Sequence, residues 1–225
     1  MNHRPNHPAS LSLADSCTVS GQPVVYSNPT YTRVTWRDVC VHLSRVRRYG
    51  GAHDWTVLDH LALGILFGHR RQVPSTVLGL FAGHDAAEYV LGDIHPRLKA
   101  LMPAYGAIEE AWDEHVHQSL GLPWPLPRRL KLIVKYLDKR TLVTEMVHLG
   151  DYRSAAAEQR WGRARPWELD LARHVHLLPA EEKARLVVAA ARSTAEERQI
   201  PVEDLSTAEH LLESDLVDFR NRWQS

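Results

Sequence analysis

The sequence predicts an all-α fold, and three observations support this. Apolar residues recur at helical spacing through most of the chain from Trp36 onward. No segment sustains a period-two alternation, and the chain lacks an Asn-Gly hairpin signal. The length of 225 residues suits one domain with a full core, or one domain with an appendage. We therefore expect one helical domain.

Composition narrows the partners and the compartment. Lys and Arg number 27, as do Asp and Glu, so no net charge draws the chain to a nucleic-acid polymer or a membrane surface. Cys17 and Cys40 are too few for a disulfide framework, which fits a reducing compartment. No apolar run approaches a membrane span, and the N-terminus lacks the apolar core of a signal peptide. We expect a soluble, cytoplasmic protein.

The first elements follow from local signals. Residues 1–30 are rich in Pro, Ser, Asn and Thr and predict a tail or an extended arm, of which "PVVY" is the piece best suited to packing. A first helix spans "TWRDVCVHLSRVRRYG", with Thr35 as its N-cap and Gly50-Gly51 as its stop. The loop "GGAHDW" follows, in which Asp54 is expected to cap the next helix.

Five further helical segments complete the region up to residue 150. The second helix, about Val57–Phe67, is apolar nearly all round, which predicts a buried, central position. A third runs from about Thr76 to Leu91, and a short helical piece lies within "GDIHPRLKALMP". Longer helices are expected at Tyr105–Leu120 and at Arg128 to about Leu149.

Beyond Gly150 the chain changes character. The segment "DYRSAAAEQRWGRARPWELD" is polar and rich in Arg, and two amphipathic helices follow at about Ala180–Gln199 and Thr207–Trp223. These helices could finish the core, cap it or form a partner interface. The predicted organisation is thus an arm at 1–30, a core at 31–150 and a helical extension at 151–225 that packs on the core.

The stretch "LFAGHDAAEYVLGD" concentrates ionisable residues behind an apolar run. Glu88 lies four residues after His84 and three after Asp85, so on a helix all three side chains can address one cavity. Imidazole and carboxylate groups that converge from rigid elements are what a divalent metal ion requires. A nearby carboxylate that is not a ligand can orient or deprotonate a water molecule.

Two other helices offer the remaining ligands. His60 lies in the middle of the apolar second helix, and Asp138 lies among apolar residues in "VKYLDKRTLVTEM". An ionised carboxylate in such surroundings is costly without a cation. Lys135, three residues earlier on the same face, could be that cation, or it could meet a substrate anion instead.

Other conspicuous residues have plainer interpretations. His53-Asp54 lies in a glycine loop with no helix to fix it, so we interpret it as a polar loop. The rings of His-Val-His pairs point to nearly opposite sides of a helix and cannot share a metal. Such pairs occur at 115–117 and 174–176. Trp161 and Trp167 in the Arg-rich segment could stack on RNA bases, but the neutral net charge argues against RNA binding.

The order His60, His84-Asp85, Asp138 resembles the H…HD…D signature of the HD-domain metal-dependent phosphohydrolases. The fuller segment "HDAAEYVLGDIHPRLK" is similar to the branch of deoxynucleoside 5′-monophosphatases and phage dATP triphosphohydrolases, as are "HLSRVRRYGG" and "VKYLDKRTLVTEM". The resemblance covers about residues 35–150. It implies an HD-domain helical bundle with extra C-terminal helices, a catalytic core at 31–150, and a homo-oligomer.

The resemblance also implies a role for individual residues. It assigns the binding of a divalent ion, Zn, Co, Mn or Mg, to His60, His84, Asp85 and Asp138. Glu88 would act on the nucleophilic water and Asp93 would assist it. The residues implied for substrate binding are Arg48, Lys99 and Lys135 for phosphate oxygens, Tyr49 and Gly50 with Gly51 for one wall, and Ile94, His95 and Pro96 for the opposite lip.

The implied activity is hydrolysis of a deoxynucleotide. The leading candidate is a dNTP triphosphohydrolase, with dATP first, in which metal-activated water attacks the α-phosphorus to release deoxynucleoside and triphosphate. A deoxynucleoside 5′-monophosphatase is the alternative, and a non-catalytic nucleotide-binding HD module is a second one. If the chain is phage-encoded, the expected location is the host cytoplasm.

Overall fold

The computed structural model describes residues 14–150, 159, 162–196, 206–210 and 212. Within these ranges the fold is all-α, as expected, apart from a short antiparallel pair formed by β1 (Ser16–Cys17) and β2 (Pro23–Val24). The helices are α1 (Trp36–Leu43), α2 (Val57–Arg70), α3 (Ser75–Gly83), α4 (Glu88–Leu91), α5 (Pro96–Lys99), α6 (Pro103–Ser119), α7 (Arg128–His148), α8 (Pro166–Leu177) and α9 (Ala180–Glu196). Short 3-10 turns lie at Pro29–Tyr31 and Tyr49–Gly51.

Capping side chains fix the starts of the first two helices. Thr35 accepts a hydrogen bond from the Asp38 backbone N–H, which confirms the predicted N-cap of α1. That helix ends at Leu43 rather than at Gly50. The prediction that Asp54 caps α2 is wrong, because Thr56 does so in a capping box with Asp59. Asp54 pairs with Arg47 instead.

The predicted single helix over 76–91 is two helices. α3 ends at Gly83, and α4 begins at Glu88. Between them the backbone hydrogen bonds join residues three positions apart rather than four, as from Ala86 N–H to the Gly83 carbonyl oxygen. The carbonyl of Phe81 receives both the backbone N–H and the ring Nδ1 of His84, so the side chain competes for the helical bond. The break turns His84 and Asp85 out of the regular helix.

α2 is the central element, as its apolar sequence predicted. His60 and most other α2 residues are buried, and the helix contacts α3, α7, α8 and α9. Helix α9 of the C-terminal extension therefore completes this core. Val187, Ala190 and Ala191 of α9 belong to the main buried cluster, and Lys183 pairs with Asp59 of α2. "PVVY" also packs, with Val24 and Val25 buried.

Helix α8 was not predicted from the sequence. Pro166 occupies its first turn, and Ala172 and Val175 are its buried apolar positions. Arg140 of α7 donates to both carboxylate oxygens of Glu168, at 2.8 and 2.7 Å, and both side chains are buried. This pair ties α8 to the helix that carries Asp138. Pro166 was a usable sequence signal for the start of this helix. The helix was missed because its apolar stripe is short and lies within an Arg-rich segment.

Two further findings concern the remaining chain. Most of the predicted helix Thr207–Trp223 lies outside the described residues. The described residues in this part of the chain, 206–210 and 212, are helical. Ala208 and Leu212 are buried in the main cluster. Among the helices that the structure describes, none combines the length and apolar character needed to cross a membrane.

The crossing of α3 and α9 leaves no space at Gly79. A Cβ there would lie 2.0 Å from Thr194 Oγ1 and 2.5 Å from the Ala190 carbonyl oxygen. We therefore expect Gly79→Ala to lower the free energy of unfolding by about 1–3 kcal/mol, measured by urea denaturation. Gly106→Ala is the control, because this helical position has nothing within 4 Å of the new Cβ. It should be neutral or stabilise by up to about 1 kcal/mol, and an equal loss in both variants would contradict the packing argument.

Candidate functional site

A cavity of about 870 Å³ opens between the Tyr49–Gly51 turn, the segment from Asp85 to Lys99, and the C-terminal half of α7. A volume of this size fits a nucleotide-sized ligand. The sequence-predicted residues that line it are Arg48, Tyr49, Gly50, Asp85, Glu88, Asp93, Ile94, His95, Pro96, Lys99 and Asp138. Residues separated by up to 90 positions in the sequence therefore line one cavity.

Four predicted metal ligands meet at the base of this cavity. Nitrogen and oxygen atoms of His60, His84 and Asp138 lie within 4.8 Å of one another. His60 Nε2 is 3.6 Å from an Asp138 oxygen and 3.8 Å from an Asp85 oxygen. Asp85 also lies 3.2 Å from His84 Nε2. The two imidazoles come from α2 and the turn after α3, so rigid, buried elements position them.

The donor atoms suit a divalent cation. His84 Nδ1 is 2.6 Å from the Phe81 carbonyl oxygen and His60 Nδ1 is 2.7 Å from a Glu145 oxygen, so both Nδ1 atoms carry the proton and donate it. Each Nε2 then presents a lone pair. Both Nε2 atoms are buried and have no hydrogen-bond partner among the described residues. Such orphaned acceptors beside two carboxylates are costly unless a cation joins them, so the residues fit a metal ion.

The charges around Asp138 keep it ionised. Burial alone would raise its pKa, but the charge of Lys139, with Nζ 2.8 Å from a carboxylate oxygen, lowers it below its usual value. Asp85 is held on its other side by Arg48, whose guanidinium lies 3.6 Å away. The site thus presents two carboxylates to a cation.

Glu88 differs from these ligands in its surroundings. Burial, together with the negative charges of Asp85 and Asp93, raises its pKa to about 10. One of its oxygens is buried with no hydrogen-bond partner within the residues that the structure describes, and the other is 4.0 Å from Lys99 Nζ. Glu88 is therefore a proton-holding carboxyl in the cavity, and added positive charge nearby would favour its ionised form.

The three predicted phosphate-binding cations do not share one environment. Arg48 and Lys99 line the cavity, but Lys135 is not among its lining residues. Lys139, one helical turn after Lys135, lines the cavity instead. Lys99 also pairs with Glu109. Burial would lower the pKa of Lys99, but the hydrogen bond to Glu109 and the charge of Glu88 raise it, so the ammonium stays charged.

Several residues of the site escaped the sequence analysis. Glu145 is fully buried and contacts His60, and its position seven residues after Asp138 on the same helix face was a usable signal. Leu142 and Met146 line the cavity on that face too. His53, interpreted as an ordinary loop residue, lines the cavity and meets the Tyr49 ring edge-on at 5.9 Å between centroids.

Comparison with known proteins places the chain among relatives. No family model matches it. It is 27% identical over 161 residues to the "Uncharacterized protein RCAP_rcc00048" of Rhodobacter capsulatus, covering 66% of this chain and 79% of that protein. It is 32% identical over 135 residues to the "Uncharacterized protein YfdR" of Escherichia coli (strain K12), covering 59% of this chain and 71% of the relative. The chain therefore belongs to the protein family of Escherichia coli YfdR.

Proposed function

We propose that this protein is a metal-dependent phosphohydrolase of the HD-domain type that acts on deoxynucleotides. The leading candidate substrate is a dNTP, with dATP first, cleaved to deoxynucleoside and triphosphate. One observation carries the proposal: two buried imidazole nitrogens, without hydrogen-bond partners in the described part of the chain, face two carboxylates at the base of a nucleotide-sized cavity. The metal-holding residues would be His60, His84, Asp85 and Asp138.

A divalent ion bound there would stabilise negative charge on a phosphoryl oxygen and make a water molecule easier to deprotonate. The chain's own residues supply the rest. Glu88 would accept the proton of the attacking water, and Asp93, on the same wall, would assist. Arg48, Lys99 and Lys139 would bind phosphate oxygens and balance the charge that accumulates during transfer.

The nucleoside has a suitable surface further along the cavity. Leu142 lies one turn and Met146 two turns beyond Asp138 on α7, which is about 6 and 12 Å along the helix axis. The Tyr49 ring and the lip formed by Ile94 and Pro96 complete this apolar region. A phosphate at the bottom of the cavity would then place the nucleobase and the sugar against these side chains.

A deoxynucleoside 5′-monophosphatase is the second candidate, and the cavity charges favour it. Among the described residues, the charged side chains on the lining are three basic ones, Arg48, Lys99 and Lys139, and four acidic ones, Asp85, Glu88, Asp93 and Asp138. Each basic side chain already lies within 4.0 Å of a carboxylate. With a divalent ion the surplus of positive charge is small, and it matches a dianionic monophosphate more closely than a triphosphate.

Product analysis separates the candidates. The protein, stripped with a chelator and reloaded with Mn²⁺, Co²⁺ or Zn²⁺, is incubated with each dNTP and dNMP, and the products are resolved by ion-exchange chromatography. We expect metal-dependent release of deoxynucleoside, accompanied by triphosphate from dATP. Deoxynucleoside and phosphate from dAMP alone would establish the monophosphatase instead.

Metal binding without hydrolysis would favour the non-catalytic alternative. We expect metal addition to raise the melting temperature, because a ligand at 100 times its Kd stabilises the native state by about 2.7 kcal/mol. A metal-loaded protein that melts higher but hydrolyses no dNTP or dNMP would support the non-catalytic nucleotide-binding module. A protein that binds no divalent ion would contradict all three assignments.

A further inference from the structure

Glu145 links the candidate metal site to the cavity wall. One of its oxygens lies 2.7 Å from His60 Nδ1, and the other accepts a hydrogen bond of 2.6 Å from the Tyr49 hydroxyl. Arg48 Nε lies 3.4 Å from that second oxygen. Glu145 and His60 are both fully buried. Three groups from two other parts of the chain thus converge on one carboxylate.

The contact with His60 decides which ring nitrogen is available. A carboxylate only accepts hydrogen bonds, so Glu145 holds the proton on Nδ1 and leaves the lone pair on Nε2. That Nε2 atom is the one that faces Asp85 and Asp138. A carboxylate behind a histidine ligand also fixes the ring orientation and makes the ligand more basic. Glu145 therefore does not face the cation position itself.

The contact with Tyr49 decides the shape of the wall. Tyr49 has φ 58°, a left-handed conformation that is unusual for a bulky residue, and it is followed by Gly50 and Gly51 at φ 63° and 80°. The bond from its hydroxyl to Glu145 spans 96 residues and anchors this turn to α7. The Arg48 guanidinium, which reaches both Glu145 and Asp85, adds a second link.

We infer that Glu145 is a positioning residue that orients His60 for metal binding and couples this ligand to the substrate-facing turn through Tyr49. The inference rests on the proposed metal site but not on hydrolysis. Loss of the Glu145 charge should weaken metal binding although no ligand is removed. Loss of the Tyr49 hydroxyl, which lies on the substrate-facing turn, should weaken metal binding through the same carboxylate.

The test uses Glu145→Gln, Tyr49→Phe and the double variant, with metal affinity as the readout. Co²⁺ binding is titrated by calorimetry against a competing chelator, and the visible absorption of bound Co²⁺ reports the ligand geometry. We expect Glu145→Gln to raise the Kd for Co²⁺ about 10–100-fold. Tyr49→Phe should give a smaller loss in the same direction, and most of that loss should vanish in the Glu145→Gln background.

Glu168→Gln is the matched control. Glu168 is equally buried and equally tied to an arginine, but it lies on α8 and does not line the cavity. It should lower the melting temperature while leaving the Co²⁺ affinity and spectrum unchanged. A loss of affinity in Glu168→Gln as large as in Glu145→Gln would mean that any buried pair has this effect, and would overturn the inference.

Two further outcomes would also overturn it. One is a Glu145→Gln protein whose Kd stays within about twofold of the wild type, with the same spectrum. The other is additive losses in the double variant, which would deny the coupling. If Glu145→Gln does not fold, Tyr49→Phe carries the test, and an unchanged affinity there would contradict the link. Because no readout requires turnover, a failed hydrolase proposal would be recognised separately by the absence of product with the metal bound.

Discussion

The Asp85→Ala protein is expected to lose divalent-metal binding and hydrolytic activity together. Asp85 lies 3.2 Å from His84 Nε2 and 3.8 Å from His60 Nε2, between the two imidazoles that would hold the ion. Its removal also leaves Arg48, 3.6 Å away, without one of its two carboxylate partners, so a guanidinium charge would face the cation position. Substitution of a residue that hydrogen-bonds to a metal ligand typically lowers the metal affinity about 10–100-fold. Because Asp85 is itself a proposed ligand, the loss of metal affinity should be larger.

The measurement is metal content after dialysis, together with deoxynucleoside release under saturating metal. Asp170→Ala is the control, because that carboxylate is largely exposed on α8 and, among the described residues, pairs only with Arg173 three residues later. It should keep wild-type metal content and activity. A fully active Asp85→Ala protein that retains its metal would exclude Asp85 from the site.

The Glu88→Gln protein should retain its metal and lose most of its rate. Glutamine has nearly the same shape but cannot accept the proton of the attacking water. A positioned acid or base typically contributes about 10²–10⁴-fold to a rate, so kcat should fall by that factor with KM little changed. Because burial and the charges of Asp85 and Asp93 make Glu88 hold a proton in the cavity, its replacement by a neutral amide should not weaken cation binding greatly.

Steady-state kinetics and metal content of the same preparation check this expectation. Glu114→Gln is the control, since Glu114 is exposed on α6 and bonds only to Gln118 among the described residues. It should behave as the wild type. A Glu88→Gln protein with unchanged kcat would remove Glu88 from proton transfer, and one that had lost its metal would make Glu88 a ligand. Comparison with Asp85→Ala thus separates ligand binding from proton transfer.

Local chemistry made much of the fold predictable. The cap at Thr35, the apolar α2 and the long periodic α7 all depend on residues within one or two turns, and each was recovered closely. The break after Gly83 was not, because it depends on the His84 ring competing for the Phe81 carbonyl. A helix-propensity argument does not consider a hydrogen bond from that side chain to a backbone carbonyl. Helix α8 was missed since its stripe is short and its partner Arg140 is distant in sequence.

Lys135 and Lys139 show most clearly what helical periodicity leaves undetermined. Lys135 was predicted to share the Asp138 face of α7, and Lys139 lies one helical turn after Lys135. The cavity, however, extends from Asp138 toward the C-terminal end of the helix, where Leu142 and Met146 line it. Lys135 lies one turn in the opposite direction. Helical periodicity fixes which face a residue occupies, but neighbouring helices fix where along that face a cavity begins.

The sequence by itself determined the helical class and the central helix, since these follow from near neighbours in the chain. It also placed His84, Asp85 and Glu88 within five positions of one another, although not on one helix as expected. Only the tertiary structure brought His60 and Asp138 within reach of that group, placed Lys139 on the wall and put Glu145 behind His60. These arrangements depend on how α2 and α7 pack across the core. A contact such as Tyr49 with Glu145, 96 residues apart, has no local signature because packing alone creates it.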